Sequence, residues 1–79
     1  MDIAIMQKRH FLVREVDGDY QLKELEEKLA DSVNQFTGKH TIVVESIHWI
    51  FYFMNCNMTS ERAYEIAQQL TQEFLDGKR

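Results

Sequence analysis

With 79 residues the chain has room for one small domain, spanning 1-79, and no second hydrophobic core. Hydrophobic residues at 44% and charged residues at 28% exclude wholesale disorder, and a net charge of −4 opposes nonspecific attraction to phosphate backbones. The single cysteine, Cys56, excludes an internal disulfide; no apolar run approaches the roughly 20 residues of a membrane helix and no signal peptide opens the chain, so a cytoplasmic protein without a membrane partner is expected.

In chain order, Ile3 to Met6 and His10 to Val16 read as extended, forming two strands or one bent strand around Gln7-Lys8-Arg9. From Leu22 to Phe36 the apolar residues Leu22, Leu25, Leu29, Val33 and Phe36 recur at spacings of three and four, which predicts a helix with Asp19 capping its start and Gly38 closing it. Thr41 to Cys56 is rich in β-branched and aromatic residues, but one straight strand of that length would reach about 50 Å, more than a small domain of about 30 Å can hold. It must therefore turn or bend at Glu45-Ser46-Ile47-His48, giving strands near Ile42 to Glu45 and Trp49 to Cys56 or one sharply bent strand. A second helix is predicted over Ser60 to Leu75, with Thr59 as N-cap, Glu61 in its first turn, Gly77 after its end, and Ala63, Ile66, Ala67, Leu70 and Phe74 on the buried stripe.

A shift of 41 residues lays Leu22 on Ala63, Leu25 on Ile66, Leu29 on Leu70 and Val33 on Phe74, a weak internal echo. Together these segments predict an α+β fold of order (β)βαββα. The expected architecture is a two-layer sandwich, with two amphipathic helices on a mainly antiparallel sheet of three to four strands.

The second half of the aromatic segment is apolar on both faces. Trp49, Phe51 and Phe53 point one way while Ile50, Tyr52 and Met54 point the other. If both helices cover the same face, one set stays open, and a homodimer or another protein partner is expected to use Trp49, Phe51, Phe53 and Tyr52; helices on opposite faces would make everything one core. The rival reading is a stacking platform for single-stranded nucleic acid, with phosphates held by a basic patch of Lys8, Arg9 and Arg14 beside His10, and a smaller one at Lys39 and His40.

Metal binding would draw on His10, His40, His48 and Cys56, whose separations of 30, 8 and 8 match no close-paired zinc signature. Catalysis would need Cys56 to meet His48 or His40 as nucleophile and base, and no motif requires that. No catalytic, metal or cofactor site is expected. The carboxylates Glu24, Glu26, Glu27 and Asp31 and then Glu61, Glu65, Glu73 and Asp76 fall on the predicted helices, interrupted by Lys23, Lys28, Arg62 and Lys78-Arg79, which reads as solvated faces.

The β-α-β-β-α order, the small size and the final helix Thr59-x-Glu61-x4-Ile66-x3-Leu70-x3-Phe74 resemble the DinI family of small bacterial damage-response proteins. The resemblance implies a modulator of a DNA-repair protein, since that family's acidic last helix engages a recombinase filament. This chain has additional N-terminal extended residues and a less acidic end, Asp76-Gly77-Lys78-Arg79, so no residue role is carried over. The expectation from all of these features is a small, non-enzymatic regulatory or accessory domain.

Overall fold

The computed structural model describes residues 7–33, 38–54 and 57–78. Its elements are β1 (Gln7–Val16), β2 (Asp19–Leu25), α1 (Glu27–Val33), β3 (Gly38–Val44), β4 (Ile47–Met54) and α2 (Ser60–Leu75). The expected segments Ile3 to Met6 and Phe36, and the end of the last strand at Cys56, lie outside the described residues.

The sheet order is β2-β1-β4-β3, with antiparallel hairpins β1/β2 and β3/β4 joined by a parallel pairing of β1 with β4. The sheet is therefore mixed. Two of its three pairings are antiparallel because short turns make them, whereas β1 and β4 meet only after the chain has crossed through α1 and β3. Each hairpin turns on two consecutive residues of positive φ, Asp17 (52°) and Gly18 (81°) in the first, Glu45 (51°) and Ser46 (65°) in the second. That is the backbone of the tight turn whose twist matches the flanking strands. The turn in Thr41 to Cys56 thus falls inside the expected break, making a hairpin.

The helix predicted from Leu22 is corrected. Residues Asp19 to Leu25 form β2, paired with β1 from Val16↔Asp19 to His10↔Leu25, and α1 begins only at Glu27. Asp17-Gly18 forces the chain back on itself, and a register set by that turn overrides the helical spacing of the leucines. A spacing of three shares one face of a helix but changes face in a strand, and Leu22 and Leu25 accordingly pack into different apolar clusters. Asp19 and Gly38 are consequently strand residues, not helix caps. The internal echo fails too: it lays strand residue Leu22 on helix residue Ala63, and with it the whole of β2 on the first turns of α2.

The larger cluster joins Phe11, Val13, Trp49, Phe51 and Phe53 to Ala63, Ile66, Ala67 and Leu70 of α2. The smaller one joins Leu25, Ile50 and Tyr52 to Ala30 of α1. Alternation along β4 places these sets on opposite faces, so the two helices flank the sheet and do not share one side of it. Helix α2 has the predicted bounds and caps: Thr59 Oγ1 accepts from the Arg62 amide at 3.1 Å, and Gly77 follows the end at a φ of 74°.

Candidate interaction groove

The four side chains expected at an interface are internal. Trp49 is 4% exposed, Phe51 0%, Phe53 6% and Tyr52 2%. Phe11 stacks on Phe51 at 5.6 Å, and Phe74 of α2 closes over Phe11 at 5.0 Å and over Trp49 at 5.4 Å. With both faces of β4 covered, neither a sheet-face dimer nor a stacking platform has open rings to use.

The expected basic patch is divided by the pleat. Lys8 and Arg14 project from one face of β1 and Arg9 from the other. The Arg9 guanidinium lies over Trp49 at 4.8 Å, Phe11 at 5.1 Å and Phe74 at 5.7 Å, and donates through Nε and Nη2 to the Glu24 carboxylate at 3.0 Å each. This planar, two-bond contact holds the Glu24 carboxyl below its ordinary value and lifts that of Arg9. A depressed carboxylate stabilises the fold above its unfolded value of 4.5, and that contribution is lost as pH falls through the lower folded value. Both partners are at least one-third exposed, so the contribution is about 0.5 kcal/mol. Urea melts below pH 4.5 are expected to lose that increment in the native chain and not in Glu24→Gln; equal acid sensitivity of the two would contradict it.

His10 is buried on the other face, its Nδ1 2.9 Å from the Tyr52 hydroxyl and the two rings stacked at 5.9 Å. Burial, reinforced by the negative charges of Asp31 and Glu27, raises the Tyr52 phenol above its ordinary value. The Tyr52 hydroxyl is the hydrogen-bond partner of Nδ1, and the second ring nitrogen of His10 is Nε2. That Nε2 and the Trp49 Nε1 have no hydrogen-bond partner among the described residues. His40 and His48 are half-buried on β3 and β4, and no group of three potential metal-ligating side chains forms among the described residues. Cys56 lies outside them, and with it the nucleophile–base pair.

What remains open is the β3 side of the molecule. Among the described residues β3 is an edge strand whose only neighbour is β4, and Lys39 is its sole Lys, Arg, Asp or Glu. Thr41 and Val43 are exposed on it, Val43 by 55%. The opposite edge, β2, carries Asp19, Lys23 and Glu24 and lies beside α1. Charges of that kind discourage strand addition, and β3 has few. Along β3, the first turns of α2 form the wall of a groove of about 550 Å³ lined by His40, Ser60, Glu61, Tyr64 and Glu65. A contiguous hollow of about 290 Å³, also reaching His40 and Ser60, has Phe53, Met58 and Ala63 in its lining and Gly38 at the strand start.

The local sequence accounts for this shape. Gly38 presents no side chain at the mouth, and nothing lies within 4 Å of where a Cβ would sit. The N-cap at Thr59 starts α2 directly opposite, bringing Tyr64 to 6.1 Å from the His40 ring, which meets Phe53 edge-on at 5.8 Å. The sequence names His40, Glu61, Glu65 and Phe53 in other roles but does not bring them together, and it does not point to Tyr64. A signal existed in Tyr64, an aromatic outside the buried stripe of α2 and 41% exposed, and in a β-branched strand with only one charge.

No family model, curated protein or solved structure matches the chain. The resemblance to the DinI family drawn from the sequence has no support in these comparisons. Among the described residues no helix is long and apolar enough to cross a membrane.

Proposed function

We propose that this is a non-enzymatic protein-interaction domain, regulatory or accessory in role, that binds an extended segment of a partner protein as a fifth strand on β3. The observation that carries the reading is the pairing of an open, sparsely charged strand edge with a groove along the same strand. Main-chain groups on the free side of β3 supply directional hydrogen bonds to any extended backbone, and the α2 wall offers a place for alternate side chains of that backbone. The interior placement of Trp49, Phe51, Phe53 and Tyr52 supports a contact at the edge of the sheet over one on its face.

The test selects displayed random peptides on the full chain, synthesises the enriched sequences, and follows amide hydrogen exchange of the complex. Slowed exchange at β3, with β2 unchanged, is the expected result. Peptides that protect only other elements, or a selection without enrichment, would refute the reading.

A further inference from the structure

We infer that the groove selects a lysine or arginine in the added segment, at the position that lies beside His40. The inference rests on the strand-addition reading and adds the chemistry of the partner to it.

Alternation along an added strand sends every second side chain to the α2 side of the sheet, where His40, Ile42 and Val44 already point, and the others to the side of Lys39, Thr41 and Val43. The side chain next to His40 meets Glu61, Tyr64 and Glu65. Glu61 and Glu65 sit one helical turn apart with Tyr64 between them, so two carboxylates flank one exposed ring. Glu61 has no ion pair among the described residues, and Glu65 is held only by the exposed Arg62 at 3.1 Å, an interaction weak enough to be exchanged for another cation. The first turn of a helix carries a partial positive charge that would repel a cation, but about half an elementary charge is outweighed by two full carboxylates. A cation there gains both carboxylates and the face of Tyr64.

The same recipe operates inside the domain. Arg9 rests on three aromatic rings while Glu24 holds its guanidinium. On the other side of the strand Lys39 repels a cation, so the preference is confined to alternate positions and is not a general liking for basic peptides.

The experiment measures fluorescence anisotropy of labelled peptides on an alternating threonine–valine scaffold, differing only in a central Lys, Arg, Gln or Glu, against the full chain. The Lys and Arg peptides are expected to bind about tenfold tighter than the Glu peptide, a difference of about 1.4 kcal/mol. The advantage is expected to vanish in E61Q/E65Q, on which the Lys, Arg, Gln and Glu peptides bind alike. Equal affinity for all four, with β3 amides protected, overturns the basic preference and leaves strand addition standing. Absence of binding by all four, without β3 protection, overturns both. A doubled mass by light scattering with β3 protected before any peptide is added identifies a second copy as the occupant and overturns the inference.

Discussion

Phe51→Ala is expected to leave the chain at the edge of unfolding at 25 °C. Phe51 has no exposed surface, stands in one of the two inner strands, and touches Phe11 across the parallel pairing while α2 covers it. Truncating a buried phenylalanine costs about 3–5 kcal/mol, because the lost transfer energy is joined by that of a cavity the neighbours do not fill. A domain of 79 residues holds about 4–12 kcal/mol in total at 0.05–0.15 kcal/mol per residue. The loss is therefore comparable with everything available. Urea unfolding followed by circular dichroism measures it, with Val43→Ala, at a position 55% exposed, as a control expected within about 0.5 kcal/mol of native. A shift below about 1 kcal/mol for Phe51→Ala would mean that the core around β4 is loosely packed.

Tyr52→Phe has the second large effect, and its origin is polar. The substitution keeps the ring and removes the hydroxyl that pairs with His10 Nδ1 at 2.9 Å, so a buried imidazole whose Nε2 lacks a partner among the described residues loses its other one. An unsatisfied buried polar group costs about 1–3 kcal/mol, whereas removing both partners together is nearly neutral. The double variant His10→Leu/Tyr52→Phe is accordingly expected to be more stable than Tyr52→Phe alone. A double variant that merely adds two losses would show that the bond contributes nothing.

The pH dependence has a definite sign. The Tyr52 phenol is raised by burial and then by Asp31 and Glu27, so the folded chain holds this proton more tightly than the unfolded one. Its contribution is complete below the ordinary value of 10.0 and disappears as pH rises through the higher folded value. Urea midpoints are expected to fall more steeply above pH 10 in the native chain than in Tyr52→Phe.

Much of the fold was legible wherever local chemistry and tertiary context agree. Thr59 and Gly77 bracket α2 because a hydroxyl cap and a left-handed glycine do the same work in any helix, and its buried stripe follows from period alone. Leu22 and Leu25 misled because a spacing of three fits one helix face and equally fits a strand buried on both faces. Asp17-Gly18 was the signal that separates the two cases. The parallel pairing of β1 with β4 had no local mark, since no turn joins them. That pairing and the placement of α1 across the sheet from α2 put Trp49, Phe51, Phe53 and Tyr52 inside, which spacing in one strand does not reveal. The groove was illegible for a related reason: which strand ends up at the edge is a property of the whole topology.

The central parallel pairing also orders events in time. Each hairpin closes through a two-residue turn and can form within microseconds, but Gln7 must find Ile47, forty positions further along the chain. Docking of one hairpin against the other is therefore the step expected to limit the rate of folding. Substitutions in the turns are expected to shift the population of each half, and those at Phe11 and Phe51, which face each other across the seam, to change the speed at which the halves become one molecule.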